Sequence, residues 1–196
     1  MSGPAGNTYD KEATTNPAEQ RLVSGFAAGL RELLPPQAGR VLEVGCGEGT
    51  QLRRLREALP GATVIGLDVP DETLVPHWQE SDAVTTAGSA YALPFPNDTF
   101  DVVCALEVLE HLTDSEAALV ELARVARSTV IVSVPWEPVW RVGNLLRGRY
   151  ISALGNTPGH VRHFTRRGFL RCVSRHLDVE AVRRPLPWTF VRGRPR

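Results

Sequence analysis

Lysine is almost missing from this sequence: Lys11 is the only one, and the other basic residues are arginines. A hydride-transfer site built on a tyrosine with a lysine four residues later therefore cannot be assembled here, which excludes short-chain dehydrogenase chemistry. Paired cysteines are also missing. Cys46, Cys104 and Cys172 stand far apart with no CxxC spacing, so neither a disulfide frame nor a thiolate zinc site is indicated, and a reducing compartment is expected. No apolar run approaches the roughly 18 residues that a membrane span needs. Met1 to Asn16 is polar and lacks the apolar centre of a secretory signal, so the cytoplasm is the expected location. Excess charge of either sign is absent too, with 22 basic residues against 22 acidic ones. A neutral chain gives no broad electrostatic reason to expect nucleic acid or an anionic bilayer as partner.

What is present is an alternation of strand and helix signals. Asn16-Pro17-Ala18-Glu19 has the order of a helix start, with asparagine as cap and proline in the first turn. Leu22, Phe26, Leu30 and Leu33 follow at helical spacing, and Pro35-Pro36 closes the segment. Val41–Val44, Thr63–Asp68, Ala83–Ala87, Phe100–Leu106 and Ser128–Val134 have the composition of buried strands. Helices are expected after the first strand, over Leu52–Leu59, and before the fifth, over Thr113–Ala126, where Thr113 and Glu116 suggest a capping box. Thr165 opens a last helix, and Asp178–Arg184 with Trp188–Arg192 suits a closing antiparallel pair. The pattern predicts one α/β domain of Rossmann-like, doubly wound type: a mostly parallel sheet with a closing antiparallel strand. Residues 1–15 are expected to be a flexible arm. Residues 136–163 carry tryptophan, glycine, asparagine and proline without a clean period, and are expected to be a lid.

The first strand runs into Leu42-Glu43-Val44-Gly45-Cys46-Gly47-Glu48-Gly49-Thr50. Three alternate glycines allow a sharp strand-to-helix turn whose N–H groups approach a ligand closely. Asp68 closes the next strand, 19 residues after Gly49, where an acid can accept from both hydroxyls of a ribose. Glu43 just before the first glycine would repel a pyrophosphate and suits a ligand with a cationic amino-acid end. The run Glu43-Val44-Gly45-Cys46-Gly47-Glu48-Gly49 resembles the first motif of class I S-adenosylmethionine-dependent methyltransferases. The resemblance continues at Leu93-Pro94-Phe95, Phe100-Asp101-Val102-Val103, Glu107-Val108-Leu109-Glu110-His111 and Gly159-His160-Val161-Arg162-His163-Phe164-Thr165. It implies S-adenosylmethionine as cofactor, with Glu43, Gly45, Gly47 and Gly49 at its methionine end. It further implies Asp68 on the ribose, Val69 beside the adenine, and Ser89 with Ala90 at the adenine edge. Relatives often carry an acid where this chain has Ser89. Tyr9 is similar to an aromatic that closes over the cofactor.

Transfer of a methyl group from a sulfonium needs alignment and exclusion of water more than acid catalysis. An oxygen acceptor also benefits from a base working near neutral pH. His111, just past the fourth strand, is the candidate for that role, with His160 and His163 at the end of the lid behind it. Glu107, Glu110 and His111 together with His160 also resemble the divalent-metal site of some ubiquinone-pathway O-methyltransferases and small-RNA terminal 2′-O-methyltransferases. No metal is assigned on that basis. The lid's Trp136 and Trp140 suit a hydrophobic small molecule as acceptor. Two alternatives stand beside this expectation: a cofactor-binding module without catalysis, and RNA 2′-O-methylation.

Overall fold

The computed structural model describes residues 15–74, 77–78, 84–146, 148 and 150–196. The expected N-terminal arm, apart from Thr15, and Tyr9 within it lie outside the described residues. Helix α1 (Pro17–Arg31) starts as the sequence suggests, with the Asn16 side chain accepting from the Ala18 N–H and Pro17 at the first turn. The alternating part follows as β1 (Arg40–Val44), α2 (Thr50–Ala58), β2 (Thr63–Asp68), β3 (Val84–Ala87), β4 (Phe100–Leu106), α3 (Ser115–Val125) and β5 (Ala126–Pro135). Then come α4 (Glu137–Leu146), α5 (Arg166–Val173), β6 (Leu177–Arg183) and β7 (Trp188–Pro195).

The seven strands stand in the order β3-β2-β1-β4-β5-β7-β6. The first five are parallel, and β7 runs antiparallel to both β5 and β6. Both faces of the sheet are covered. On one, Phe26 and Leu30 of α1 and Leu52 and Leu55 of α2 pack on Val41, Val102, Cys104 and Ile131. On the other, Leu119 and Leu122 of α3 and Phe169 and Val173 of α5 pack on Leu42, Val103, Ala105 and Val132. Each fully buried leucine, isoleucine, valine or phenylalanine among them contributes roughly 1.5–3 kcal/mol. Strand β4 shows why alternation alone does not fix the face of every residue. Phe100 lies on the α3 side and Val102 on the α1 side, and the register against β5 shifts between these two positions.

Two expectations are corrected. Helix α3 begins at Ser115 and is capped by Asp114, whose Oδ1 accepts from the Glu116 and Ala117 N–H groups. Thr113 is engaged elsewhere: its carbonyl receives the Arg162 guanidinium, and its hydroxyl lies 3.3 Å from the Tyr91 hydroxyl. The segment 136–163 is also more ordered than its composition suggests, because Glu137–Leu146 forms a helix. Trp140 and Asn144 sit one turn apart on it, and both donate to the Thr157 hydroxyl, at 2.8 and 3.2 Å. A helical face made of one indole and one amide escapes a search for apolar periodicity.

The chain order reverses between β1, whose order continues outward through β2 and β3, and β4, from which it continues through β5. Ligands of open α/β sheets bind at such a switch point, beyond the carboxyl ends of the strands. Here that edge carries the Gly45–Gly49 loop, the end of β2 at Asp68, and the turn after β4 from Glu107 to His111.

Candidate active site

The first wall of the crevice is made by backbone. Both Gly45 and Cys46 donate their N–H to the Leu67 carbonyl, at 2.7 and 3.2 Å, so the chain leaving β1 folds over the end of β2. Gly45, Gly47 and Gly49 all have positive φ, at 77°, 52° and 91°. At Gly45 sterics are also decisive: a Cβ there would come within 2.4 Å of Val108 Cγ2. A Cβ on Gly47 would meet nothing within 4 Å among the described residues. Asp68 ties this loop to the end of β2, accepting from the Gly47 N–H and the Val69 N–H, each at 2.7 Å. Each of its oxygens keeps a second lone pair, enough to receive two ribose hydroxyls. The Trp78 indole braces the loop from outside, donating to the Gly47 carbonyl at 2.8 Å.

Glu43 lies beneath the loop and is 1 % exposed, with no hydrogen-bond partner for Oε2 among the described residues. Burial, and after it the nearby Asp68 charge, pushes its carboxyl well above the usual range, while Arg54 pulls the other way. Burial likewise raises Asp68, against the two backbone hydrogen bonds that lower it. A buried acid lacking a partner is costly unless something cationic or donating completes it. Together with the left-handed glycine backbone, this fits the cationic amino-acid end of S-adenosylmethionine. Val69 stands half exposed just past β2, and the Ser89 hydroxyl accepts from the Tyr91 N–H at 3.2 Å.

The second wall is made by side chains that reach across long stretches of sequence. Glu107 turns the chain out of β4 with φ 58°, its N–H donating to the Ser133 carbonyl. Its carboxylate accepts from the Trp188 indole at 2.7 Å. Past it, Leu109–His111 forms one 3-10 turn. The His111 ring is exposed, and its Nδ1 lies 3.1 Å from the Gly159 carbonyl. A carbonyl only accepts, so Nδ1 carries a proton, and in the neutral ring the lone pair is then on Nε2. The ring of His160 stands edge-on to it, centroids 4.8 Å apart. His160 is buried, and its Nδ1 is 2.7 Å from Glu137 Oε1. The N–H groups of Val161 and Arg162 both donate to the Glu110 carbonyl at 3.0 Å, which fastens the end of segment 136–163 onto the turn after β4.

Among the described residues, Glu110, His111 and His160 each offer a ligand atom, all within 4.8 Å of one another. Glu107, the remaining acid of the run, is not in that group. The other histidine of segment 136–163, His163, is exposed. Arg166 stacks at 3.9 Å on the Trp136 ring, and Arg162 is spent on the Thr113 carbonyl. Glu137 escapes the sequence reading. Its only signal is position, since it is an acid one residue removed from the carboxyl end of β5, and no spacing rule links it to His160.

A family model described as a methyltransferase domain matches residues 42–134. That span carries the glycine loop, Asp68 and the turn through His111. Over those residues, just under half of the chain, the sequence is similar to that methyltransferase domain. It is 34% identical over 118 residues to a demethylmenaquinone methyltransferase of Roseiflexus castenholzii, a match covering 56% of this chain and 50% of that protein. Over 98 residues it is 35% identical to a ubiquinone biosynthesis O-methyltransferase of Azorhizobium caulinodans, covering 47% and 38%. The chain thus spans half or less of the length of these relatives. Among solved structures, a methyltransferase in complex with the Haloferax volcanii Trm112 activator superposes with TM-score 0.71 at 18% identity, covering 90% of this chain and 91% of that one. An S-adenosylmethionine-dependent methyltransferase of Mesorhizobium loti gives 0.65 at 18%, covering 85% and 96%. At those identities the likeness concerns the fold, which is the doubly wound, mostly parallel one expected.

Proposed function

We propose that the chain catalyses S-adenosylmethionine-dependent methyl transfer to an oxygen of a small hydrophobic acceptor. The observation that carries this is the Gly45–Gly49 loop, left-handed at three glycines, tied to Asp68 and lying over the buried carboxylate of Glu43. In this reading Glu43, Gly45, Gly47 and Gly49 hold the methionine end, Asp68 the ribose, Val69 one face of the adenine, and Ser89 with Ala90 its edge. When bound, the cofactor supplies an electrophilic methyl group. The protein's own tasks are to align the acceptor, keep water out and remove one proton. His111 Nε2, with its lone pair fixed by the Gly159 carbonyl, takes the acceptor's hydroxyl proton and leaves the oxygen its electron pair for the new carbon–oxygen bond. The lid carrying Trp136 and Trp140 covers that side. The matched demethylmenaquinone and ubiquinone-pathway enzymes favour a ring-bearing, lipophilic acceptor over a macromolecule.

Calorimetry tests the cofactor half. S-adenosylmethionine and S-adenosylhomocysteine are expected to bind and NAD is not. Asp68→Ala should weaken binding by about 1.5–3 kcal/mol, the scale of hydrogen bonds to a charged group. Unchanged affinity in that variant removes Asp68 from the ribose.

The grouping of Glu110, His111 and His160 favours a second reading of the acceptor half, in which these three hold a divalent cation against the acceptor oxygen. A chelator then abolishes turnover and manganese restores it. Full activity in chelator leaves His111 as base.

A further inference from the structure

The bond between Glu137 and His160 has no part in the reading with His111 as base, although both side chains are nine-tenths buried and lie 2.7 Å apart. We propose that Glu137 is a positioning residue: through His160 and the adjoining Gly159 it fixes His111 in the tautomer whose Nε2 lone pair serves the acceptor. This rests on the assignment of His111 as the acceptor-side base.

The argument follows the contacts outward. Glu137 is the first residue of α4, one residue removed from the carboxyl end of β5 at Pro135, so the sheet holds its backbone close to the crevice. Its carboxylate accepts the His160 Nδ1 proton, which fixes both the plane of that ring and its tautomer. A fixed His160 fixes Gly159, and Gly159 supplies the carbonyl that sets the proton on His111. Gly159 adopts φ +85°, and a Cβ on it would stand 3.1 Å from His111 Nδ1. The approach of that backbone to the His111 ring is therefore as close as a residue without a side chain permits. The two imidazoles also touch, edge to face, so a rotation of His160 is felt directly by His111. Finally, Val161 and Arg162 clamp the same strip to the Glu110 carbonyl, one residue before His111. Four consecutive residues of the lid thus bear on one turn of chain after β4, and Glu137 is the carboxylate behind them. A buried carboxylate on a histidine is the usual way to fix which ring nitrogen is bare, whether that nitrogen meets a proton or a cation.

The test is nitrogen-15 NMR of the imidazoles in the full chain, which reports the protonated nitrogen of each ring and needs no acceptor. In the wild type both His160 and His111 are expected to carry the proton on Nδ1. Glu137→Gln keeps an accepting oxygen and should keep both patterns. Glu137→Leu should convert His160 toward the Nε2-protonated form and leave His111 a mixture of tautomers. A second arm measures S-adenosylhomocysteine formed with a pool of small phenols and hydroquinones. There Glu137→Leu should lower kcat about 10- to 100-fold with cofactor affinity within about twofold, and Glu137→Gln should restore most of the rate. A wild-type His160 protonated on Nε2, or a Glu137→Leu protein whose His111 tautomer and kcat match the wild type, overturns the proposal. The first of those outcomes is read without any variant, so a misfolded Glu137→Leu does not shelter the idea. Absence of cofactor binding in the wild type would instead count against the methyltransferase reading and leave the tautomer result standing.

Discussion

The two walls of the crevice are built on different principles. The wall assigned to the cofactor in the proposed reading consists of backbone in special conformations, and its parts lie close in sequence: Gly45, Gly47 and Gly49, with Asp68 21 residues beyond Gly47. The acceptor wall consists of side chains meeting across long separations: 23 residues from Glu137 to His160, 48 from His111 to Gly159, and 81 from Glu107 to Trp188. A wall of strained backbone tolerates almost no substitution but is indifferent to the ligand's partner. A wall of side-chain contacts can be rebuilt one residue at a time. That difference suits a site in which one wall is fixed and the other can change its ligand.

The harshest way to test the contrast is Gly45→Ala. The added methyl group would meet Val108 Cγ2 at 2.4 Å and would sit on a residue with φ 77°. Left-handed backbone and overpacking together should cost about 2–5 kcal/mol of stability, measured by urea unfolding. A loss below about 0.5 kcal/mol would show that the loop relaxes easily and that the cofactor wall is not rigid.

This contrast also explains what was legible in the sequence. Glycines at alternate positions after a strand and an acid at the end of the next strand announce themselves, because the conformation they serve is local. His111 was legible as a candidate because it follows a strong strand at the ligand edge. Glu137 was not, since nothing local distinguishes it from a helix-start acid; its contact with His160 appears only when the chain folds back after the helix. Glu107 misleads in the opposite direction. It stands in the same run as Glu110 and His111, yet a left-handed turn sends its carboxylate to Trp188, a partner no spacing rule would suggest. The fold itself was readable because β1, β2, β4 and β5 are short apolar runs. The start of α3 was misplaced by two residues because Thr113 and Asp114 are both good caps, and tertiary contacts from Arg162 to the Thr113 carbonyl and from Tyr91 to its hydroxyl engage Thr113 elsewhere.

A milder test lies in the charge under the loop. Burial raises the Glu43 carboxyl, so the folded protein holds that proton more tightly than the unfolded chain. Below the ordinary carboxylate value the group is protonated in both states. As pH rises from there through the raised folded value, the unfolded chain releases its proton first and stability falls, by at most about 1.4 kcal/mol per pH unit. Glu43→Gln should flatten that slope relative to the wild type in urea titrations across the window. The cationic end of the cofactor stabilises the ionised form. Wild-type affinity should therefore rise with pH in the same window, with a proton released on binding, and the Gln variant should keep only the smaller part that the raised Asp68 carboxyl contributes. A wild-type affinity that does not change with pH would separate Glu43 from the methionine end.

The smallest expected effect probes whether the two walls are independent. Trp140 lies on the lid helix, its indole N–H donating to Thr157 at 2.8 Å and its ring tilted against Trp188 at 5.8 Å. Trp188 in turn donates to Glu107, at the turn where the cofactor wall meets the acceptor wall. Trp140→Phe removes the N–H and keeps most of the ring. Asn144 still donates to the Thr157 hydroxyl, so the strip before Gly159 keeps one anchor. The loss should be about 0.5–1.5 kcal/mol, a fall in Tm of a few degrees for a chain of this size. If the walls are independent, the KM for the acceptor rises while calorimetric affinity for S-adenosylmethionine stays unchanged. An equal fall in cofactor affinity would mean that the ring contact from Trp140 through Trp188 to Glu107 carries strain between them. The lid would then belong to both walls, and the contrast between backbone and side-chain construction would no longer describe how the site holds its two substrates.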